Sequence, residues 1–372
     1  MTAPTRLTST SRSAAGKCLR LYFYRYVLKL SRVRSATPLR LGSAMHKGQE
    51  LKNRGAAPEA AIAGATADYA TCPDWADPVE WAVECQTVRA LLAGHFWRYS
   101  QDNVQFLAVE QSFEIPLKNP DTGAVSRRFT LAGKMDGIVS LQDGRAADLE
   151  YKNVGEDIAP GGPFWQRLRF DGQISMYVLA ARALGHDVST VLYDVTRKPT
   201  IQPRQIPLLD DQGRKIVLDA GGQRVLRQNI LKNGQPGKGH GEPMQGANAE
   251  KGWVLQVRPE TPEEYGQRVL ADIENNCEQY FQRREVPRLE DELTEYRAEL
   301  WQQSQHLMEL HRRAAKLPDP ARAHFRNVSK MTCGQCEFSN ICLNGLRVDP
   351  ACPPAGYQVL QDVHPELAVE GA

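Results

Sequence analysis

Hydrophobic positions in the first half of the chain follow two periods, one helical and one typical of strands. Leu and aromatic residues recur at helical spacing over 17–30, with Arg and Lys between them, and a residue-by-residue alternation begins near Phe106. The pattern predicts helices at 17–30, 41–53 and 172–184, and strands at 106–115, 128–141, 146–152 and 190–195. Asp143 and Gly144 are the expected hairpin turn between the second and third strands.

The order of these elements predicts an α/β fold, in which a central β-sheet carries crossover helices. A glycine- and proline-rich segment at about 200–252 interrupts the pattern and is interpreted as an inserted loop with a hairpin at 216–218. Long helices are predicted at about 263–284 and 290–316, the first started by Thr261 and Pro262. The expected organisation is one domain over 17–345, preceded by a flexible leader over 1–16 and followed by a C-terminal tail over 346–372.

Composition restricts the class of protein. The 372-residue chain is 41% hydrophobic and 24% charged, which is ordinary for a soluble globular protein. It contains no run of about 18 apolar residues, so we expect no transmembrane helix and no membrane partner. It also lacks a secretory start. We therefore expect a cytoplasmic protein of a bacterial or phage-infected cell.

Positive charge is concentrated at the N-terminus, although the formal net charge of the whole chain is only +2. No Asp or Glu precedes Glu50, and the same stretch contains ten basic residues: Arg6, Arg12, Lys17, Arg20, Arg25, Lys29, Arg32, Arg34, Arg40 and Lys47. Such a block can neutralise the phosphates of a nucleic acid. The alternative is a mitochondrial transit peptide, which is also Arg- and Ser-rich, but the candidate functional residues begin as early as Cys18.

An acid on one predicted strand and an acid-x-Lys on the next form the first candidate site. Asp136 lies in Gly133-Lys-Met-Asp136, and Glu150 and Lys152 share one face of the following strand. Mg²⁺ or Mn²⁺ bound by Asp136, Glu150 and the carbonyl of Tyr151 can assist phosphodiester cleavage, with the Lys152 ammonium positioning water or offsetting phosphate charge. The alternative is a solvated charge pair at a strand end.

Three residues outside these strands are weaker candidates. Gln173 and Tyr177 are spaced i and i+4 on a predicted helix, so both side chains can point at one cleft. The alternative is a core Tyr with an unrelated Gln. Glu110 on the first strand can reach the site, although a Glu at a strand end is usually solvated.

A cysteine cluster near the C-terminal end forms the second candidate site. Cys333-Gly-Gln-Cys336 is followed after five residues by Cys342, and such clustering favours a metal site in a reducing compartment. Thiolates bind both zinc and iron–sulfur clusters. No second close pair of zinc ligands is visible, and the fourth ligand is either Cys18 or the nearby Cys352.

These segments together resemble the PD-(D/E)XK nuclease superfamily, in particular its RecB-like branch with an iron–sulfur cluster, which includes CRISPR-associated exonucleases. The resemblance covers most of 17–196 and 325–345. It implies a restriction-endonuclease-like core, a mixed β-sheet flanked by helices. It also implies that Gln173 and Tyr177 form the Gln-x-x-x-Tyr element of the branch. Glu150 departs from the Asp usual in that branch, although the superfamily accepts either.

The resemblance adds two ligand assignments. Gly42-Ser-Ala-Met-His46 is similar to the Gly-x-x-x-His element, whose His joins the metal. Cys18 precedes an aromatic-rich helix, as the remote cysteine of the iron–sulfur nucleases does. The implied cofactor is a [4Fe–4S] cluster held by Cys18, Cys333, Cys336 and Cys342, which would staple the N- and C-terminal segments together.

The expected function is a Mg²⁺- or Mn²⁺-dependent deoxyribonuclease, in particular an exonuclease on single-stranded DNA or duplex ends. The expected processes are recombination, repair, or phage- and CRISPR-related DNA processing. The sequence has no Gly-x4-Gly-Lys-Ser/Thr motif for a helicase motor, which favours a stand-alone nuclease or one working with a helicase or recombination partner. Two alternatives are a catalytically inactive nucleic-acid-binding or assembly module with the same fold, and a zinc-stapled structural protein.

Overall fold

The computed structural model describes residues 4–34, 36–102, 104–364 and 367. Its strands are β1 (Thr5–Leu7), β2 (Leu30–Arg32), β3 (Gln105–Lys118), β4 (Val125–Ser140), β5 (Ala146–Val154), β6 (Val188–Arg197), β7 (Gln205–Pro207), β8 (Val217–Leu218), β9 (Val254–Leu255), β10 (Val257–Pro259), β11 (Phe281–Pro287) and β12 (Tyr357–Val359).

The helices connect and flank these strands. They are α1 (Ser9–Lys17), α2 (Leu19–Tyr22), α3 (Thr37–Asn53), α4 (Pro58–Ala65), α5 (Pro78–Arg98), α6 (Pro163–Leu168), α7 (Gly172–Ala183), α8 (Pro262–Asn275), α9 (Cys277–Tyr280), α10 (Glu290–Ala314), α11 (Lys330–Gly334) and α12 (Ser339–Leu343). A π-helical turn follows α2 over Phe23–Val27, and short 3₁₀ helices cover Ala67–Ala70 and Pro320–Ala323.

A mixed six-stranded sheet forms the centre of the fold. Its strands run in the order β1-β4-β5-β6-β11, and β3 pairs with β4. The β1–β4 and β5–β6 pairs are parallel, and β3–β4, β4–β5 and β6–β11 are antiparallel. This is the α/β architecture expected from the sequence, a mixed sheet between helices, and it is consistent with a restriction-endonuclease-like core.

Local sequence accounts for the hairpin that carries the candidate acids. The N–H of Leu141 donates to the carbonyl of Arg145 across 2.8 Å, and Gly144 has φ of +85°, a conformation that favours glycine. The two strands leaving this turn, β4 and β5, therefore pair from Ser140 with Ala146 onward. The predicted third strand at 146–152 corresponds to β5.

Two apolar clusters cover the faces of the sheet. One cluster joins α7 and α10 to the strands through residues such as Met176, Tyr193 and Leu300. The other joins α3, α5 and α8 through residues such as Met45 and Leu91. The candidate acids of β5 lie between these two layers of helices, because β5 is an interior strand.

The expected flexible leader over 1–16 is wrong for the part that the structure describes. Strand β1 pairs in parallel with β4, and the side chain of Leu7 is 1% exposed. Thr8 then starts α1 with a capping box, in which its Oγ1 accepts from the N–H of Ser11 at 3.2 Å. Edge pairing, burial of Leu7 and the cap together order this segment. Residues 1–3 lie outside the described residues.

The helix predicted over 17–30 is broken in the structure. Cys18 has an extended backbone with φ of −167°, so α1 ends before it and α2 begins after it. The helical residues then continue into the π-helical turn. Cys18 therefore lies at a sharp break between two helices.

The helix predicted over 263–284 is wrong beyond Asn275. Residues Phe281–Pro287 form β11 and pair with β6 from Thr196 to Thr190. Because β6 is almost entirely buried, its free edge needs a hydrogen-bonding partner, which a helix cannot supply. The second long helix, predicted at 290–316, is α10.

The insertion at about 200–252 consists mainly of turns and short ladders. Its predicted hairpin strand corresponds to β8, which pairs with β9, and β7 pairs with β10. At its base, the N–H of Leu208 donates to the carbonyl of Gln256 at 2.9 Å. The two ends of the insertion are therefore hydrogen bonded to each other where the insertion leaves the core.

The expected C-terminal tail includes one strand. Within it, β12 pairs with β2 near the N-terminus. Residues 365, 366 and 368–372 of the tail lie outside the described part of the chain. In that described part, the helices are all too short or too polar to traverse a lipid bilayer.

Candidate active site

The centre of the candidate site is the point where β4 and β5 separate. The backbone N–H of Tyr151 donates to Oδ2 of Asp136 at 2.8 Å, and His46 Nδ1 lies 3.2 Å from the other carboxylate oxygen. Asp136 thus contacts both β5 and α3. The i-to-i+4 turns of α3 also bring Glu50 to the face that carries His46.

A hydrogen-bonded chain joins β5 to α7 at the same point. Lys152 Nζ lies 2.8 Å from Oε1 of Glu150 and donates to Oε1 of Gln173 at 2.9 Å. The Gln173 amide donates in turn to Oε1 of Glu150 at 2.9 Å and to the hydroxyl of Tyr177 at 3.1 Å. The structure therefore brings Asp136, Glu150, Lys152, Gln173 and Tyr177 together.

Gly133 has a packing role in this arrangement. A Cβ at this position would lie 2.7 Å from Cζ of Phe113 and 3.2 Å from Cε1 of Tyr177. The rings of Phe113 and Tyr177 meet edge to face with centroids 5.7 Å apart. The glycine of the Gly-x-x-Asp pattern therefore allows Tyr177 to approach β4.

Burial determines the electrostatics of the two acids on β5. Glu150 is 3% exposed, and burial, opposed by the nearby Lys152 ammonium, raises the pKa of its carboxyl to about 7. Asp148 is completely buried two residues earlier, and burial raises its pKa well above the ordinary value. Neither carboxyl oxygen of Asp148 has a hydrogen-bond partner in the described part of the chain. Burial without a hydrogen-bond partner therefore favours the neutral, protonated form of Asp148.

The basic members of the site are shifted in the direction that keeps them charged. Burial lowers the pKa of Lys152, but the carboxylates of Glu150 and Asp171 outweigh this effect and raise the pKa above its ordinary value. The same balance holds at His46, where Asp136 overcomes desolvation and raises the imidazole pKa to about 9. In the absence of a metal ion, these cations offset the charge of the acids.

Two acids that sequence reasoning missed or gave little weight lie at the edge of the site. Asp171 Oδ2 is 3.4 Å from Lys152 Nζ, and its other oxygen caps α7 by accepting from the N–H of Gln173 at 2.9 Å. An Asp two residues before a helical Gln is a recognisable N-cap signal. Glu110 lies on β3 between the residues that pair with Gly137 and Met135 of β4; its carboxylate is 2.6 Å from Lys134 Nζ, and its φ is +52°.

The left-handed backbone of Glu110 is a feature that no sequence pattern indicates. A non-glycine residue in this region of φ is strained by about 1 kcal/mol or more. Burial raises the pKa of the Glu110 carboxyl, while its bond with Lys134 acts in the opposite direction. Glu110 is therefore a partly buried acid whose charge acts on Asp136 and His46.

A second buried network supports the other face of β5. Nε2 of His95 lies 3.0 Å from both carboxylate oxygens of Asp194, and Arg283 Nε donates to Asp194 at 3.1 Å. The His95 and Tyr151 rings meet edge to face with centroids 6.1 Å apart. Asp194 is about ninety or more positions from His95 and from Arg283 in the chain, so no local pattern could have revealed these contacts.

The oxygen ligands fit a hard divalent cation only in part. Oε2 of Glu150 is buried and has no hydrogen-bond partner among the described residues, which leaves an oxygen available to a cation. Across the same residues, no group of three or more His, Cys, Asp and Glu side chains is arranged to hold a metal ion. Mg²⁺ needs no such group, because it is usually bound by one or two carboxylates and retains several waters.

The cysteine positions converge although they are distant in sequence. Cys18, Cys333, Cys336 and Cys342 all line one small cavity between the helix break at Cys18 and the C-terminal loop. Sγ of Cys18 accepts from the N–H of Asn327 at 3.4 Å, and the Tyr24 and Phe338 rings pack with centroids 5.4 Å apart. Burial raises the pKa of the Cys336 thiol, and the neighbouring thiols of Cys18 and Cys342 add to the rise.

Cys352, the rival fourth ligand, is exposed and is not part of the lining of this cavity. It lies in a short turn, where its backbone N–H donates to the carbonyl of Asp349. The four lining thiols are the donor set that an iron–sulfur cluster requires. In the described part of the chain, these four thiols are not arranged as they stand to hold a metal ion.

Comparison with known families identifies the chain at the level of a superfamily. A family model described as the PD-(D/E)XK nuclease superfamily matches residues 6–343. No curated protein matches the chain. The chain belongs to the PD-(D/E)XK nuclease superfamily, whose members are in general nucleases that use a divalent metal such as Mg²⁺ or Mn²⁺.

Proposed function

We propose that this member of the PD-(D/E)XK nuclease superfamily is a Mg²⁺- or Mn²⁺-dependent exonuclease that acts on single-stranded DNA or frayed duplex ends. The observation that carries the proposal is the convergence of Asp136, Glu150 and Lys152 on one end of β5, linked by Gln173. A surface charge pair would be solvated, whereas Glu150 here is almost fully buried.

The roles of the residues follow from their contacts. Asp136, Glu150 and the carbonyl of Tyr151 would hold the cation, with His46 as a further ligand. The bound cation supplies Lewis-acid activation of water and stabilises charge on the phosphate. Lys152 holds a positive charge beside Glu150, where it can orient the attacking water or bind a phosphate oxygen. Gln173 and Tyr177 keep the Glu150 and Lys152 side chains in place.

The charge around the site supports a nucleic acid substrate. A wide groove reaches the catalytic cluster at Asp171 and Gln173, and basic side chains outnumber acidic ones along it. Arg12, Lys17 and Arg34 of the acid-free N-terminal stretch are among its lining residues. These cations can neutralise successive phosphates of one strand.

We also propose that Cys18, Cys333, Cys336 and Cys342 hold a [4Fe–4S] cluster with a structural role. The support is that all four line one cavity. Cys18 and Cys333 are 315 positions apart, and a crosslink between them would strongly restrict the unfolded chain. A bound zinc ion is the alternative, and colour separates the two, because an iron–sulfur protein is brown and a zinc protein is colourless.

The process and partner follow from the proposed activity. An exonuclease without a motor of its own suits recombination, repair, or phage- or CRISPR-related processing in the cytoplasm, next to a helicase or recombination protein. A catalytically inactive nucleic-acid-binding module is the rival function. It would tolerate loss of Asp136, Glu150 or Lys152 without change in its DNA affinity at low metal concentration.

Cleavage of end-labelled DNA by anaerobically purified protein tests the proposal. We expect products that shorten from an end on single-stranded DNA when Mn²⁺ is present, and none with a chelator. Glu150→Gln is the matched inactive control, because it keeps the shape of the side chain. Binding without cleavage at any concentration of Mg²⁺ or Mn²⁺ would favour the inactive module.

A further inference from the structure

An almost fully exposed aromatic side chain lies next to the catalytic cluster. Phe170, in the turn between α6 and α7, is 89% exposed. The next residue is Asp171, whose carboxylate lies 3.4 Å from Lys152 Nζ and also caps the helix that carries Gln173. Successive Cα atoms are about 3.8 Å apart, so the backbone of Phe170 is held directly beside a residue of the catalytic cluster.

The turn that presents Phe170 is held by a buried cation. Arg288 is 4% exposed, and its guanidinium donates to the backbone carbonyls of Leu168, Arg169 and Asp171, the first at 2.8 Å and the last at 3.0 Å. Arg288 directly follows β11, so these bonds hold three carbonyls of the turn beside the end of that strand. The turn is therefore braced, and its backbone cannot easily shift to bury the ring.

The end of the turn is fixed by close packing as well. A Cβ on Gly172 would lie 3.2 Å from Cε2 of Tyr296, a residue of α10. Burying a Phe side chain usually stabilises a protein, a gain that this turn forgoes. An isolated exposed apolar residue is common and needs no explanation. The informative feature of Phe170 is its position, on a braced turn beside the catalytic cluster.

The charge around Phe170 determines what it can contact. Arg169 is exposed on the same turn, and Arg167, exposed in the last turn of α6, pairs with Glu156. Among the described residues, the groove that includes Asp171 and Gly172 is lined by eight basic and six acidic side chains, and the basic ones include Arg12, Lys17 and Lys198. A ligand at this position therefore combines negative charge along the groove with a flat apolar group at the ring, and a single strand of nucleic acid has both.

We propose that Phe170 is a stacking platform for an unpaired nucleobase at the mouth of the catalytic site, while the groove binds the backbone of the same strand. The proposal deepens the proposed function and rests on it in identifying the strand as DNA. In a paired duplex the base faces are occupied by neighbouring bases, so the platform favours a single strand or a frayed end. Phe170 is a specificity residue here and has no role in proton transfer or metal binding.

Metal-free binding separates this proposal from catalysis. The full-length protein is titrated in a chelator against a 12-nucleotide single strand that carries one 2-aminopurine, moved from position to position, and binding is followed by anisotropy and by 2-aminopurine fluorescence. We expect one position whose fluorescence changes on binding to wild-type protein. Phe170→Ala should remove that change and weaken binding by about 5- to 150-fold, the range for loss of one base–aromatic stack.

Three comparisons make the result specific. Phe170→Trp should keep the signal and the affinity, because it keeps an aromatic face. Met331→Ala removes an apolar side chain that is 86% exposed in the cysteine loop and should change neither. The slope of log affinity against log salt should be the same in Phe170→Ala and wild type, because no phosphate contact is lost. A blunt duplex should bind wild type and Phe170→Ala equally.

The outcomes are distinct from those of the proposed function. Unchanged affinity and fluorescence in Phe170→Ala, or no single-strand binding by wild type, would overturn the platform even if the enzyme cleaves DNA. An equal loss of affinity for single strand and blunt duplex would overturn it as well, and would indicate a general contact. Loss of stacking in Phe170→Ala combined with no cleavage by wild type in Mn²⁺ would support the platform and refute the nuclease.

Discussion

The backbone N–H of Tyr151 donates a hydrogen bond to Oδ2 of Asp136 across 2.8 Å. Backbone pairing of β4 and β5 runs from Ser140 and Ala146 to Gly137 and Leu149. The hydrogen bond from Tyr151 to the Asp136 side chain lies just beyond the end of that pairing. Asp136 therefore holds β5 beside β4 and presents its carboxylate to the point that Glu150 reaches. A variant that tests its chemistry must keep an acceptor oxygen for Tyr151.

Replacing the charged residues one at a time tests the candidate site. Asp136→Asn keeps an oxygen for Tyr151, Glu150→Gln keeps the side-chain shape, and Lys152→Met keeps its length. We expect each to lower the rate of DNA cleavage by about 10²–10³-fold, the usual effect of removing one charge-stabilising group. Asp143→Asn, in the exposed hairpin turn, is the control and should cleave normally. Near-wild-type rates in all three variants would contradict the assignment.

Gln173 is expected to act by positioning its two charged neighbours. It donates to Glu150 and accepts from Lys152, and a hydrogen bond to a charged group contributes about 1.5–3 kcal/mol. Gln173→Leu should therefore lower kcat by about 10- to 100-fold with little change in KM. Tyr177→Phe removes only the bond from the Gln173 amide to its hydroxyl and should have a smaller effect. A larger loss in Tyr177→Phe than in Gln173→Leu would indicate a direct role for the phenol.

The cysteine assignment is tested by metal analysis. Cys18→Ser should lower iron and sulfide content and the melting temperature as much as Cys336→Ser does, because either change leaves the cluster with three thiolates. Cys352→Ser should be nearly neutral, since Cys352 is exposed outside the shared cavity. Cys85→Ser serves as a control for loss of an unrelated thiol. Full iron occupancy in Cys18→Ser with loss of iron in Cys352→Ser would reverse the ligand set.

The insertion can be removed at its closed base. Because Leu208 and Gln256 are hydrogen bonded to each other, residues 209–255 can be replaced by a two-residue Asn-Gly turn. The scattered Arg and Lys of this segment lead us to expect weaker binding of single-stranded DNA with a smaller relative loss of thermal stability. Fluorescence anisotropy and thermal melting measure the two effects. A large drop in melting temperature with unchanged DNA affinity would instead assign the insertion to the core.

His324 gives an expected pH dependence of stability. Its side chain is completely buried with a ring 4.7 Å from that of Phe23, and burial lowers the imidazole pKa to about 4. An unfolded His has a pKa near 6.5. Between about pH 6.5 and 4 the unfolded chain therefore binds the proton more readily than the folded protein, and stability falls as the pH falls. The stability associated with a neutral His324 is fully present above about pH 6.5.

Urea unfolding at several pH values measures this effect. His324→Phe should reduce the loss of stability between pH 6.5 and 4, by at most about 1.4 kcal/mol per pH unit. His306→Gln changes an exposed His and is the matched control. Equal pH profiles of His324→Phe and wild type would show that the His324 pKa is the same in the folded and unfolded protein, contrary to the expectation.

Much of the candidate site was predictable because it depends on local rules. Alternation along a strand places Glu150 and Lys152 on one face, and a tight hairpin brings β4 beside β5, so Asp136 must approach them. The i, i+4 spacing of a helix likewise predicted that Gln173 and Tyr177 lie on one side of α7. These relationships span a few residues or one turn and need no knowledge of the rest of the fold.

Other features could not be read from local pattern. Residues 281–287 lie within a polar, helix-like stretch, and only the unpaired edge of β6 makes them a strand. The Arg288 clamp on the turn of Phe170 joins residues about 120 positions apart. The buried pair of His95 and Asp194 joins residues 99 positions apart.

The sequence by itself determined the α/β class, the strand order around the hairpin and the chemical types at the site, because periodicity and turn chemistry act between neighbours. Only the tertiary structure decided that Cys18 lies at a helix break facing the C-terminal cysteines, that Asp171 and Glu110 border the site, and that Phe170 stays exposed. The physical reason is that these contacts join distant segments. Their geometry depends on how the helices pack across the sheet, and no local rule specifies that packing.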